Sequence, residues 1–322
     1  MLDAAGMTAR PPVILVYSRR SAEGFRDWLA THGCPGTLLT ASNPAEAAAV
    51  IGDVEAILAW RFPVELFASA PRLQWVQSLG AGVEDLVSAP SLAPQVALTR
   101  IVDQFGSYVA EYVFGELLAR VRQIERVRLA QSQHRWNHFI AESLGGRTLG
   151  VAGLGSIGKE IVRKGRAFDM RVYGLSRSGL RSNIVDRHFT PGHWFEFVGD
   201  LDVLVLTLPQ TAETDRILDA GTLAAMRSSA LVVNVGRGVL VDEDALIDAL
   251  RGKRLGGAIL DVFQTEPLPE GSPLWDLPGV TVSPHIAGPS TIEGVGSSFL
   301  SNVKRFMRGE PLAGLVDRSL GY

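Results

Sequence analysis

TLGVAGLGSIG, residues 148–158, decides the fold. An apolar run, TLGVAG, meets three glycines, Gly153, Gly155 and Gly158, and KEIVRKGRAF continues beyond them. The spacing is G-x-G-x-x-G. Its first glycine permits a tight turn, the second lets backbone approach a pyrophosphate, and the third allows a helix to pack closely on its strand. Glycines at this spacing also mark ordinary turns. A strand before and a helix after favour the phosphate cradle, with Ser156 and Ile157 opening a helix whose free N–H groups face the anion.

Outward from that turn, short apolar runs alternate with longer amphipathic ones. VILVY (13–17), EAILAW (55–60) and LQWVQS (73–78) precede it. MRVYGL (170–175), LDVLVLTLP (201–209), ALVVNVG (230–236), GAILDVF (257–263) and VTVSPH (280–285) follow. These runs are continuous rather than alternating, as in strands buried on both faces of a parallel sheet. The expected class is α/β, with two doubly wound parallel-sheet domains. A chain of 322 residues suits two modest domains. A dinucleotide-binding domain is expected over 102–288. A substrate domain is expected over 1–101 plus a C-terminal return, 289–322. One long helix is expected over about 103–131, because Val109, Tyr112, Val113, Leu117, Val121 and Ile124 form an apolar stripe. Arg120, Arg122, Arg126 and Arg128 suit either a solvated face or a subunit interface.

A net charge of −3 gives no basic surface for nucleic acid. No run reaches the ~20 apolar residues of a membrane helix, and VILVY is too short for a secretory core. A soluble, cytoplasmic protein without nucleic-acid or membrane partners is expected. The single cysteine, Cys34, excludes an internal disulfide and reads as a spectator thiol. His134 and His138 are four apart, but no third ligand is evident, so no metal site is expected. His188 and His193, in HFTPGHW, read as surface groups of a loop, and His32 has no evident partner.

In VYGLSRSG (172–179) the second strand of the cradle runs into Ser176, Arg177 and Ser178. An NAD site normally carries an acid there, hydrogen-bonded to the ribose. Two hydroxyls and a guanidinium suit a 2′-phosphate instead. Each charge-assisted hydrogen bond contributes ~1.5–3 kcal/mol, roughly tenfold to a hundredfold in affinity. NADP(H) is therefore the expected cofactor, with NAD(H) remaining possible. Arg181 is a further candidate.

NVGRG holds Arg237, DVFQTEPLP holds Asp261 and Glu266, and SPHIAG holds His285. Charged residues after buried strands lie where such sheets bind ligands. Arg237, flanked by Gly236 and Gly238, has room to reach a substrate; unpaired burial would be costly.

With these segments the chain resembles the D-isomer-specific 2-hydroxyacid dehydrogenases. LGAGVEDL (79–86), AEYVFGELL (110–118), GRTLGVAGLGSIG, TLPQTAET, NVGRGVLVDEDAL, GAILDVFQTEPLP and SPLWDLPGVTVSPHIAG follow the family's order. The resemblance implies a Rossmann-type cofactor domain and a flavodoxin-like substrate domain, with reaction in a closing cleft. It implies a homodimer that reduces a small 2-oxo acid to a D-2-hydroxy acid. In that scheme His285 is the general acid–base, Glu266 hydrogen-bonds its imidazole and favours the protonated form, and Arg237 binds the substrate carboxylate and oxo group. Backbone N–H groups around Ala81 and Gly82 form a second carboxylate clamp. Asp261 resembles the residue that binds the nicotinamide carboxamide, and Pro209, Val235 and Ala287 border the cofactor. Glu266 stands where formate dehydrogenases of the superfamily have glutamine. The Ser176–Arg177–Ser178 run is similar to that of the NADPH-dependent glyoxylate/hydroxypyruvate reductase branch. Trp60, Arg61, Phe62 and Trp136 suit either the substrate pocket or domain packing. A cofactor-sensing, corepressor-like relative would retain the same set, and the enzyme using NAD is a third reading.

Overall fold

The computed structural model describes residues 11–321; residues 1–10 and 322, at the ends of the expected substrate domain, lie outside them. The described chain divides into two compact units. One comprises 11–104 and 290–321, the other 105–289.

The first unit begins with strand β1 (Val13–Tyr17), helix α1 (Ala22–Thr31), β2 (Thr37–Ala41), α2 (Pro44–Val50), β3 (Ala56–Ala59), β4 (Trp75–Ser78), α3 (Glu84–Val87) and β5 (Ala97–Thr99). Its five strands are ordered β2-β1-β3-β4-β5, all parallel. This is the flavodoxin-like order. No apolar run announced β2 or β5. TLLTA is a half-covered edge strand, and β5 has only three residues.

The second unit contains α4 (Gly106–Val121), α5 (Ile124–Ser132), β6 (Thr148–Ala152), α6 (Ser156–Ala167), β7 (Arg171–Leu175), β8 (Arg187–Phe189), α7 (Trp194–Gly199), β9 (Val203–Leu206), α8 (Ala220–Ala225), β10 (Leu231–Asn234), α9 (Glu243–Arg251), β11 (Gly257–Leu260) and β12 (Val280–Val282). The sheet order is β12-β11-β10-β9-β6-β7-β8, again all parallel. The central strands β6, β9, β10 and β11 are buried along their whole length, which is why they read as unbroken apolar runs.

Three sequence expectations change. The long helix over 103–131 is two helices, because Gln123 adopts a left-handed conformation (φ 52°) that ends one and caps the next. Arg120 does not lie on a solvated face: its guanidinium donates to the carbonyls of Gly256 (2.5 Å) and Gly279 (3.0 Å). The HFTPGHW segment is not all loop, since His188 lies within β8.

Acids secure the amino ends of several strands. Asp202 accepts the Thr148 N–H at 2.7 Å, Asp186 that of Val172 at 2.7 Å, and Glu55 that of Val13 at 3.1 Å. The carboxyl ends are thereby left to the functional loops.

The chain returns to the first unit with α10 (Ile292–Met307). Trp75 of β4 stacks on Phe299 at 4.9 Å and meets Phe306 at 5.7 Å. Buried Asn302 donates to Gln77 Oε1 (2.9 Å) and to the Ala313 carbonyl (3.0 Å), and accepts the Ala313 N–H (2.8 Å). Trp75 Nε1 donates to Thr99 Oγ1 at 2.8 Å, extending the polar network into β5. Burial pushes the Cys34 thiol up to about 11, in keeping with a spectator. Among the described residues, no helix is long and apolar enough to cross a membrane. Asn302→Ala removes the bond to buried Gln77 Oε1 and the two bonds that pin the Ala313 backbone. At ~0.5–1.5 kcal/mol per hydrogen bond, the expected loss is about 2–4 kcal/mol, read from the urea unfolding midpoint.

Candidate active site

Parallel strands end on one edge of a sheet, and the strand order sets the layout of that edge. Moving from β12 through β11, β10, β9 and β6 to β7, the loops beyond the strands carry His285, then Asp261 and Glu266, then Arg237, then Pro209, then the glycine turn, then Ser176, Arg177 and Ser178.

At the glycine turn, Gly153 has φ 103°, and a Cβ there would lie 2.8 Å from Thr207 Oγ1. Thr207 Oγ1 lies 3.0 Å from the carbonyl oxygen of Ala152 and 2.9 Å from that of Gly153. A Cβ on Gly158 would run into the Gly153 carbonyl oxygen. Gly155 differs: a Cβ there would meet nothing within 4 Å. Gly155 is also the N-cap of α6 and brings no side-chain cap. The amino end of this twelve-residue helix is thus left uncapped by a side chain and open beside Gly155, as a bound pyrophosphate requires. The cradle fits a dinucleotide.

Beyond β7, Ser176 Oγ lies 2.8 Å from His188 Nε2, and Arg177 Nη1 pairs with Glu213 Oε2 at 3.3 Å. Ser178 Oγ accepts the Leu180 N–H at 3.3 Å. Arg181 reaches back to the glycine turn and donates to the Leu154 carbonyl at 2.6 Å. Neither His188 nor Glu213 was recognised from sequence, because only the pairing of β7 with β8 and the loop after β9 bring them here.

His285 Nδ1 lies 3.0 Å from Glu266 Oε2, and Glu266 Oε1 accepts the Phe263 N–H at 3.2 Å. A carboxylate on Nδ1 leaves Nε2 as the nitrogen able to exchange a proton with a ligand. His285 has φ 55°, a left-handed conformation that costs a non-glycine residue ~1–3 kcal/mol. Its N–H is held by the carbonyls of Asp261 (2.9 Å) and Ser283 (3.1 Å). The Asp261 side chain is buried. Its Oδ1 accepts Ser283 Oγ (2.6 Å) and the Ile286 N–H (2.8 Å), and its Oδ2 accepts the Ala287 N–H (2.9 Å).

Arg237 sits in a turn closed by buried Asn234. That residue donates to the Arg237 carbonyl (2.8 Å) and accepts the Gly236 N–H (3.1 Å). The guanidinium donates to the Gly236 carbonyl at 2.6 Å. Gly238 does more than leave room for Arg237, because a Cβ there would strike the Phe263 backbone. Val235 and Ala287 are buried beside these loops, and the Pro209 carbonyl accepts Thr214 Oγ1 at 2.7 Å.

Ala81 and Gly82 lie in the first unit, in the loop after β4. Ser78 Oγ shapes this loop by donating to the Gly82 carbonyl (2.9 Å) and accepting the Gly80 N–H (3.1 Å). Trp60 covers Gly80, where a Cβ would lie 2.5 Å from the indole ring. Phe62 is a core residue, stacked on Phe67 at 4.9 Å and edge-on to Tyr17 at 5.1 Å. Trp136 is 97% exposed in an irregular stretch after α5. His134 and His138 also lie beyond the last turn of α5, so helical i, i+4 geometry does not apply to them.

The family model for the NAD binding domain of D-isomer specific 2-hydroxyacid dehydrogenases matches residues 114–287. Glyoxylate/hydroxypyruvate reductase A from Serratia proteamaculans (strain 568) is 33% identical over 271 residues, covering 82% of this chain and 87% of that protein. A D-isomer specific 2-hydroxyacid dehydrogenase from Xanthobacter autotrophicus Py2, solved with NADPH and MES, aligns with a TM-score of 0.88 at 31% identity over 97% of this chain and 100% of its own. An NADPH-dependent glyoxylate/hydroxypyruvate reductase from Sinorhizobium meliloti, solved with NADP and sulfate, aligns with a TM-score of 0.87 at 29% identity over 96% of this chain and 100% of its own. Fold and site together define a nicotinamide-dinucleotide-dependent oxidoreductase. The chain belongs to the D-isomer specific 2-hydroxyacid dehydrogenase family.

Gly158→Ala forces a methyl group against the Gly153 carbonyl oxygen. Overpacking of this kind costs ~1–3 kcal/mol. The expected outcome is a lower melting temperature and at least about tenfold weaker dinucleotide binding by calorimetry.

Proposed function

We propose that this chain is an NADPH-dependent reductase of small 2-oxo acids, forming D-2-hydroxy acids. The observation that carries the reading is the His285–Glu266 pair at 3.0 Å, on the strand edge that also presents Arg237 and the glycine cradle. The Xanthobacter and Sinorhizobium relatives, solved with NADPH and NADP respectively, support the choice of cofactor. The reductase named for the Serratia relative supports the substrate class.

The unit spanning 105–289 is the cofactor domain in this reading, and the other unit is the substrate domain. Gly153, Gly155, Ser156, Ile157 and Gly158 hold the pyrophosphate, and Ser176, Arg177 and Ser178 hold the 2′-phosphate. Pro209, Val235, Asp261 and Ala287 border the nicotinamide end. When bound, the cofactor supplies the hydride that reduces the carbonyl carbon. Arg237 binds the substrate carboxylate and polarises the oxo group, with the backbone around Ala81 and Gly82 as the second clamp. His285 Nε2 gives its proton to the carbonyl oxygen as negative charge develops there. Glu266 fixes the imidazole tautomer and orientation.

A cytoplasmic location agrees with a single, unpaired cysteine. The exposed side chains of Leu129, Trp136 and Ile140 support a homodimer in which a second copy covers them.

A panel of glyoxylate, hydroxypyruvate and phenylpyruvate, each with NADPH and NADH, tests the reading. Turnover of at least one acid is expected, with kcat/KM higher for NADPH. Tight NADPH binding without turnover of any 2-oxo acid would instead indicate a cofactor sensor. His285→Asn is expected to lower kcat by about 10²–10⁴ while leaving the NADPH Kd nearly unchanged. Arg177→Ala is expected to weaken NADPH about tenfold or more with little change for NADH; equal losses for the two cofactors would remove Arg177 from 2′-phosphate recognition.

A further inference from the structure

Two residues without an assigned role stand behind Asp261. Tyr112 of α4 places its hydroxyl 2.6 Å from Ser283 Oγ, across 171 positions of sequence. Ser283 Oγ lies 2.6 Å from Asp261 Oδ1. The direction of this chain of hydrogen bonds follows from its end. An ionised carboxylate only accepts, so the Ser283 hydrogen points to Asp261. The Ser283 oxygen then accepts the hydrogen of Tyr112. Burial, with smaller contributions from the Asp261 and Glu116 carboxylates, pushes the phenol up to about 12 even though its bond to Ser283 opposes the shift. Tyr112 therefore stays a donor throughout the working pH range.

The chain ends on the carboxylate that also receives the Ile286 and Ala287 N–H groups. Those two residues directly follow His285, whose left-handed backbone (φ 55°) needs external support. We infer that Tyr112 and Ser283 are positioning residues that lock the Asp261 carboxylate and, through it, the backbone that aims the His285 imidazole. Ser283 acts directly on the carboxylate. Tyr112 acts through Ser283, satisfying its buried lone pair and strengthening its donated bond by polarisation. Neither touches the reacting atoms.

The inference rests on the proposed role of His285 only for its kinetic consequence. The structural consequence is measured independently, by native-state hydrogen exchange on the full-length protein without substrate. In Ser283→Ala, the Ile286 and Ala287 amides are expected to exchange about tenfold faster or more, reflecting a lost charge-assisted bond. In Tyr112→Phe the expected increase is about threefold. Ser283→Thr, which keeps the hydroxyl, should return wild-type exchange. The Ile259 and Leu260 amides of β11 serve as internal reference and should not change. In parallel, kcat for the best 2-oxo acid is expected to fall by factors in the same order. Wild-type exchange at 286 and 287 in Ser283→Ala would overturn the inference. So would equal acceleration at 259 and 260, which marks general loosening, or failure of Ser283→Thr to restore protection. If the wild-type protein reduces no 2-oxo acid, the proposed function fails and the exchange measurements still decide the role of these two residues.

Discussion

Asp261 is a carboxylate buried at the end of a fully buried strand, and the organisation of this sheet edge follows from satisfying it. A buried ion without partners is costly enough that a fold cannot carry it idly. Here the solution is to bend the SPHIAG segment around the charge until a serine hydroxyl and two successive backbone N–H groups point inward. That bend places His285 in a conformation that a non-glycine residue rarely adopts. Glu266 meets the imidazole from the loop that follows the same strand as Asp261. Two carboxylates from one strand end thus divide the labour: one holds the backbone of the loop, the other its side chain.

The end of the edge proposed to take a 2′-phosphate is built more loosely. Arg177 and Glu213 are 41% and 72% exposed in their side chains. An ion pair this open contributes ~0–1 kcal/mol, so it holds the guanidinium ready without committing it. A phosphate dianion offers the same guanidinium a better match of charge and geometry. The contrast with Asp261 is physical: its carboxylate is buried and satisfied, whereas the Arg177–Glu213 pair remains near water.

Much of the architecture was legible because both sheets are parallel. Strands covered on both faces leave unbroken apolar runs, and GLGSIG announces the phosphate turn because a strand precedes it and a helix follows. Arg237, Glu266 and His285 stood out as charged groups beside glycines or prolines after such runs. What escaped notice has identifiable causes. β2 and β8 are edge strands only partly covered, and β5 has three residues, so their patterns are weak. The break at Gln123 leaves the helical apolar spacing intact on both sides. Ser176 with His188, Arg177 with Glu213 and Tyr112 with Ser283 are meetings created by strand pairing and packing; no local spacing encodes them. The sequence left Phe62 open between a substrate pocket and domain packing, and its ring belongs to the core of its own sheet.

The interrupted first unit also has a consequence for biogenesis. Trp75 lies in a strand translated early, but the rings that cover it, Phe299 and Phe306, are translated near the end, after an entire second unit. On the ribosome the inserted unit has all its strands available first, so it can fold while the opening half-domain waits with an uncovered indole. The early segment consequently keeps apolar surface uncovered until α10 has been made.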